Sequence, residues 1–424
     1  MSELSARNKK CTDDVPFDRF RVPPKQNPIF APILWAYCFF ATRSGHLKIQ
    51  KTRMEGLKPP YIVFGSHHAW MDFYVTPLAL FPRRANYVSE MEGFEFWGEW
   101  LFRQIGCIGT RKYINDIALV KSIKRVMERR GIVVVYPEAR YANVGTSSEL
   151  PQSVGKLAKN LKVPVVCINM HGNYLQSPIW NTKMRREARL EAQITQLITP
   201  EELDGMTAGE VTAKISEYLT YDEYRWQLSR KMRITAPFRA EGLHKVLYRC
   251  PECGSEFTMR SEGADLYCES CGSRVTMNEY GQLAKNGGLY RFSHIPDWYE
   301  WQRKCVHEEI ESGNYRLDCT VHIEALPGAK CFLDCGEGRL VHDAEGFSLT
   351  FTEFGESAEK TMRFPPLMMN SIHTEYDYRG WGECVTLSVP DNTYFLFPRS
   401  AGFNPTKIQF ATEYLHKKAL AGRK

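Results

Sequence analysis

A histidine and an aspartate separated by four residues stand in Gly65-Ser66-His67-His68-Ala69-Trp70-Met71-Asp72, directly after the apolar run Tyr61-Ile62-Val63-Phe64. Where a strand turns into a helix, two such side chains can fold against each other. Asp72 then accepts from one imidazole nitrogen of His67, which fixes the tautomer and leaves the other lone pair as a base. The pair has no nucleophile of its own, so it suits a reaction in which a substrate hydroxyl attacks. His68 reads as a structural histidine.

A second constellation is Cys250-Pro251-Glu252-Cys253-Gly254 followed by Cys268-Glu269-Ser270-Cys271-Gly272, with fourteen residues between Cys253 and Cys268. Cysteines at i and i+3 on a tight turn direct both sulfurs at one ion, and the glycine after each pair suits a backbone of positive φ. Two such knuckles predict a closed, structural four-thiolate site for Zn2+, which the ligand set favours over iron. Disulfide pairing is the other reading of these cysteines. The stretch from Cys250 to Cys271 holds one arginine against five acidic residues, which argues against a grip on nucleic acid.

The elements that must position the histidine are short continuous apolar strands: Tyr61 to Phe64, Ile132 to Tyr136 and Val163 to Ile168. Runs of this kind are buried on both faces of a mainly parallel sheet, so the class is α/β. Asp116 to Arg130 reads as an amphipathic helix closed by Gly131. Thr199-Pro200-Glu201-Glu202 is a helix start, and helices are expected from there to about Met232. From Asn286 the pattern becomes short β runs at Leu317–Ile323, Gly338–Val341, Phe347–Phe351, Ser371–Tyr376, Cys384–Val389 and Thr393–Phe397, with a last helix from about Pro405 to Leu420. The expected division is residues 1–240, residues 245–280 and residues 286–424.

Three further motifs follow the dyad in order: Arg111 after Gly106-Cys107-Ile108-Gly109-Thr110, Glu138 and Arg140 in Tyr-Pro-Glu-Ala-Arg-Tyr, and Pro164 in Val-Pro-Val-Val. Over about residues 58 to 170 the chain resembles the glycerolipid acyltransferase superfamily, whose best-known members are the 1-acylglycerol-3-phosphate acyltransferases. The resemblance implies that His67 and Asp72 are the HX4D catalytic pair, with His67 deprotonating an acceptor hydroxyl as it attacks an acyl thioester. It also implies that Arg111, Glu138 and Arg140 hold the acceptor's phosphate. Ala69 stands where the family commonly has serine, Cys167 where a second proline is common, and Glu138 and Arg140 are two residues apart where the family has three. A two-pronged arginine clamp tolerates little displacement. The β-rich end loosely resembles a PH-like or GRAM-like module by element order.

With 43% hydrophobic and 12% aromatic residues among 424, the chain is neither collagen-like, coiled-coil nor disordered, and its length predicts two or three domains. Residues 1–240 carry 35 basic and 23 acidic side chains, whereas residues 241–424 carry 20 and 26. The basic half can attract phospholipid, coenzyme A or an acidic carrier protein. Asp13, Asp14, Asp18 and Pro23-Pro24 occupy the region where a secretory signal would be apolar, and scattered cysteines in a long chain fit a reducing compartment. One uncharged, largely apolar stretch, residues 26 to 42, is 17 residues with prolines at 28 and 32. A span needs about 20 continuous apolar residues, so this one reads as an in-plane or re-entrant anchor, or else as an ordinary buried helix. The aromatic stretch Phe94 to Phe102 is read as an interface element, a wall of the acyl pocket, or core.

The expected protein is therefore a cytoplasmic acyltransferase, peripheral on the cytoplasmic face of a membrane, with a structural zinc and no nucleic-acid partner. Its expected donor is acyl-CoA or acyl carrier protein, and its expected acceptor is 1-acylglycerol 3-phosphate, giving phosphatidic acid. Another lysophospholipid or hydroxyl acceptor, or an inactive lipid-binding scaffold, are the alternatives.

Overall fold

The computed structural model describes residues 12–422. Its first sheet has seven strands: β1 (Lys48–Thr52), β2 (Tyr61–Gly65), β3 (Asn86–Glu90), β4 (Cys107–Thr110), β5 (Ile132–Val135), β6 (Val165–His171) and β7 (Glu191–Ile198). Their order is β1-β7-β6-β2-β5-β3-β4, and every pair is parallel except β6 with β7. β2 is central and all five of its residues are buried. Because strand side chains alternate, Tyr61 and Val63 enter one core while Ile62 and Phe64 enter the core on the opposite face. β7 was not foreseen; its alternation of Ala192 and Ile194 with Gln193 is interrupted by polar residues beyond Ile194.

The helices of this region are α1 (Phe30–Thr42), α2 (Asp72–Leu80), α3 (Met91–Trp97), α4 (Glu99–Gln104), α5 (Ile117–Glu128), α6 (Ser153–Leu161), α7 (Asn173–Gln176), α8 (Pro200–Asp204), α9 (Ala208–Leu219) and α10 (Glu223–Ser229). Asp116 caps α5 by accepting from Leu119 N–H at 2.9 Å. The left-handed residue that ends α5 is Arg130, at φ 58°, and not the expected Gly131. Thr199 and Glu202 form a capping box on α8. α1 occupies the uncharged stretch and packs on α2, burying Ala31, Leu34, Cys38 and Thr42 at helical spacing. Among the described residues no helix is long and apolar enough to cross a membrane.

Strands β8 (Met259–Glu262), β9 (Asp265–Cys268), β10 (Arg274–Met277), β11 (Leu283–Lys285) and β12 (Gly288–Leu289) form a five-stranded sheet around the cysteine knuckles. α11 (Ile295–Glu311) follows, where β runs were expected. Pro296 in its first turn and the buried Trp298, Tyr299, Gln302 and Val306 at three- and four-residue spacing are the helical signal, masked by aromatic residues that also favour strands.

The final sheet comprises β13 (Leu317–Ala325), β14 (Leu333–Asp343), β15 (Gly346–Thr352), β16 (Glu359–Phe364), β17 (His373–Tyr378), β18 (Gly382–Val389) and β19 (Asn392–Pro398), followed by α12 (Pro405–Ala421). It is antiparallel throughout, in the order β16-β15-β14-β13-β19-β18-β17. β16 is the strand the apolar runs do not reveal, an edge strand with Glu359, Lys360 and Thr361 exposed. The sheet is not an appendage. Leu326, Cys384, Phe395 and Phe397 belong to the same core as Tyr61 and Val63 of β2.

Candidate active site

β2 delivers the histidine. Ser66 N–H extends its pairing by donating to the Ile168 carbonyl at 3.0 Å, after which the chain turns into α2. Asp72, in the first turn of that helix, is fully buried. Its Oδ2 accepts from the backbone N–H of His68 at 2.5 Å and of Ala69 at 3.0 Å, and faces His67 Nδ1 at 3.2 Å. Its Oδ1 accepts from Asn173 Nδ2 at 2.7 Å. A carboxylate at a helix N-terminus that accepts from several N–H donors is fixed in place, so Asp72 orients His67 by Nδ1 and leaves Nε2 for chemistry. The imidazole stacks on Tyr136 with ring centres 4.6 Å apart. Gly65 permits this approach, since a Cβ there would meet Tyr136 Cε1 at 2.7 Å.

His67 opens onto a cavity of about 1320 Å³. Phe30, Ile33 and Tyr37 of α1, Trp70, and Phe96 and Trp97 of α3 line it. Of these, Ile33, Tyr37, Trp70, Phe96 and Trp97 are also exposed to solvent, so the rim is an apolar surface. In the aromatic stretch Phe94 to Phe102, Phe94 is core while Phe96, Trp97 and Phe102 wall the cavity.

The remaining motif residues are placed around the dyad and against the C-terminal sheet. Glu138 is buried behind the turn: Oε1 accepts from His67 N–H at 3.1 Å, and Oε2 accepts from the N–H and Oγ of Ser148 at 2.8 and 2.9 Å. Arg111 lines the cavity but is only 4% exposed. Its Nη1 donates to the Leu326 carbonyl and Thr393 Oγ1, and its Nη2 to the carbonyls of Pro327 and Asp391, at 2.7 to 3.2 Å. Only Nε has no partner. Arg140 is not among the cavity's lining residues. It is buried at 3.2 Å from Glu413 of α12, which also receives Arg303 of α11 at 2.5 Å. Burial opposes the charge on Glu413, yet the two guanidinium groups hold its carboxyl down to about 2.

His68 is fully buried, stacked on Tyr221, with Nε2 2.9 Å from Ser66 Oγ and Nδ1 3.4 Å from Glu223. Glu223 also faces His171 Nδ1 at 2.8 Å. Burial works against both charges, but the pairing prevails: His68 is raised above its ordinary value and Glu223 is lowered to about 2.

Sequence spacing did not point to a cluster on the cavity wall beyond Tyr141, whose ring lies 4.7 Å from the His67 ring and 5.5 Å from Lys112 Nζ. Lys112 pairs with Glu90 and lies 3.1 and 3.2 Å from the two ring nitrogens of His373. His373 Nε2 is 3.0 Å from Glu375. Burial disfavours the charge on Glu90, but Lys112 keeps it ionised, with a value of about 2. Glu92 makes no ion pair among the described residues, and burial together with Glu90 pushes it up to about 7 against the opposing charges of Lys112 and His373. Glu90, Glu92 and His373 offer ligand atoms within 4.8 Å of one another, but the Lys112 ammonium already pairs with two of the three.

Cys250, Cys253, Cys268 and Cys271 meet as their spacing predicts and can hold a metal ion. Their sulfurs all lie within 4.8 Å, and Cys250–Cys271 and Cys253–Cys268 are each 3.8 Å apart. Four sulfurs at about 2.3 Å from a tetrahedral ion stand about 3.8 Å from one another, so the set fits. Gly254 and Gly272 carry the positive φ, 76° and 73°, that each knuckle needs. These four are free cysteines, whereas Cys331 is disulfide-bonded, an exception to the expectation of reduced thiols.

Residues 45–171 match the family model described as Acyltransferase. The match takes in His67, Asp72, Arg111, Glu138 and Arg140, and ends before the cysteine knuckles and the final sheet. Among solved structures, the chain is similar to the 1-acyl-sn-glycerophosphate (LPA) acyltransferase PlsC from Thermotoga maritima, at 16% identity and a TM-score of 0.38, over 48% of this chain and 80% of that one. No curated protein matches the chain.

Proposed function

We propose that the chain is an O-acyltransferase that moves a fatty acyl group from an acyl thioester, acyl-CoA or acyl carrier protein, to the hydroxyl of a lysophospholipid. The observation that carries this is the His67–Asp72 pair at 3.2 Å, opening onto a large aromatic-walled cavity. His67 Nε2 takes the proton of the acceptor hydroxyl as its oxygen attacks the thioester carbonyl carbon. The tetrahedral adduct then expels the thiolate, which receives that proton from the imidazolium. The exposed apolar rim supports peripheral membrane association, with acyl chains entering from the bilayer. The cytoplasmic face is proposed from the scattered cysteines of the sequence alone. The four thiols support a structural zinc, and seven strands followed by a helix keep the PH-like or GRAM-like reading of the C-terminal part open.

By motif resemblance the acceptor is 1-acylglycerol 3-phosphate and the product phosphatidic acid. One observation favours another acceptor: Arg111 has four of its five N–H groups committed within the protein, and Arg140 is paired with Glu413 away from the cavity. The test is transfer from each acyl donor to a panel of lysolipids, read by mass spectrometry. Folded His67→Ala is expected to lose about 10² to 10⁴ in rate, and Asp72→Asn to lose heavily through the wrong tautomer. Near-normal transfer by folded His67→Ala would sink the reading.

A further inference from the structure

This inference rests on the acyl-transfer reading and concerns the acceptor's headgroup. Three cationic side chains line the cavity, and each is already engaged. Arg111 donates to four oxygens of the C-terminal part, Lys112 is held by Glu90 and His373, and Arg379 Nε donates to Glu324 at 3.1 Å. Arg111 Nε is a single remaining N–H, not a fork that grips a phosphate dianion.

The carboxylates are in surplus, since Glu95, Asp116 and Asp377 also line the cavity beside the three that follow. Glu90, Glu92 and Glu375 all line the cavity, the first two from the acyltransferase-matching region and the third from β17. Glu90 is satisfied by Lys112 and Glu375 faces His373, whereas Glu92, among the described residues, makes no hydrogen bond or ion pair with another side chain and feels Arg111, Lys112 and His373 only as nearby charges. A partly buried carboxylate beside a second one is stabilised by any cation that reaches it and destabilised by an anion. Tyr141 bridges this cluster to the dyad, touching both the His67 ring and Lys112, so a headgroup seated here lies next to the hydroxyl that His67 would deprotonate.

We propose that the acceptor is a lysolipid whose headgroup carries an ammonium, received by Glu92 with Glu90 and Glu375 beside it, and that the C-terminal sheet thereby takes part in choosing the substrate. A primary amine and a quaternary ammonium share this chemistry.

Two measurements on the full chain separate this proposal from the reading beneath it. The first is binding of dodecylamine, dodecyltrimethylammonium and dodecyl phosphate, below their micelle concentrations, read by quenching of tryptophan fluorescence. At least one ammonium should bind about tenfold or more tightly than the phosphate, Glu92→Gln should erase most of that preference, and Glu92→Lys should reverse it. The stronger of the two ammonium probes tells the amine from the quaternary source. Equal or tighter phosphate binding by the wild type, or a preference unchanged in Glu92→Lys, overturns the proposal.

The second measurement is turnover of 1-acylglycerol 3-phosphate, monoacylglycerol, lysophosphatidylethanolamine and lysophosphatidylcholine. Preferred use of an ammonium-bearing acceptor supports the proposal, and preferred use of the phosphate monoester overturns it while leaving acyl transfer standing. Transfer to no acceptor, or transfer undiminished in His67→Ala, overturns the underlying reading.

Discussion

At the scale of single residues, the dyad is supported from behind by a second buried pair. Asp72 and His68 share one turn, and His68 is held by Glu223, so the charge of Glu223 reaches the backbone that presents His67. Removing one partner of a buried pair leaves the other uncompensated, so Glu223→Gln is expected to cost about 3 to 5 kcal/mol of stability. The pH dependence follows from the two shifts. Glu223 is lowered from 4.5 to about 2, so its contribution is complete above about 4.5 and disappears as pH falls toward 2. His68 is raised from 6.5, so its contribution is complete below about 6.5 and is lost as pH rises through the higher folded value. Thermal unfolding of wild type and Glu223→Gln across pH should show the largest difference between about pH 4.5 and 6.5. A difference that keeps growing above pH 8 would contradict the assignment.

At the scale of elements, the cysteine knuckles are a small sheet with little core of its own. β8 to β12 bury Met259, Leu266, Val275, Met277 and Leu283, which join a core shared with α11 and with Trp180 of the first region. A metal held by four thiolates would couple its binding to the folding of this segment. Purified protein should carry one tightly held zinc per chain by elemental analysis. Cys268→Ser should lose it and expose residues 248 to 275 to limited proteolysis, with a smaller effect on acyl transfer. Retention of stoichiometric zinc in folded Cys268→Ser, or iron in its place, would count against this site.

At the scale of the whole molecule, the C-terminal part is built into the first. Arg140 and Arg303 converge on Glu413, and Asn143 donates to Gln409 at 2.9 Å and to Tyr299 at 3.0 Å. Arg140→Ala is therefore expected to lower stability by about 3 to 5 kcal/mol, and to leave the Michaelis constant for the acceptor nearly unchanged in whatever fraction remains folded. Denaturant unfolding and steady-state kinetics on the same preparation check both halves. A selective rise of that constant at full stability would return Arg140 to the acceptor. For the same reason, residues 1–240 expressed alone should lack a cooperative unfolding transition. Phe395 and Phe397 would be missing from the core that β2 enters, and apolar surface on that side would be open to water.

Much of the first sheet was legible from local pattern. Continuous apolar runs named β2, β5 and β6, Thr199 and Glu202 named a helix start, and the cysteine spacing named its own cluster, because each signal is complete within a few residues. The dyad was legible for the same reason, since the turn that brings His67 to Asp72 closes over five positions. Arg111 was recognisable as a motif residue, but its partners lie 215 to 282 positions away, and no local spacing carries that information. The cavity's charge had the same origin, since Glu90, Glu92 and Glu375 are unremarkable along the chain and meet only when β17 closes on the first region. The sequence by itself determined that the proposed base, His67, lies beside Asp72, because that geometry is local. Only the tertiary structure decided which charges surround it, because burial and long-range pairing set whether an arginine is free to bind a ligand or already spent within the fold.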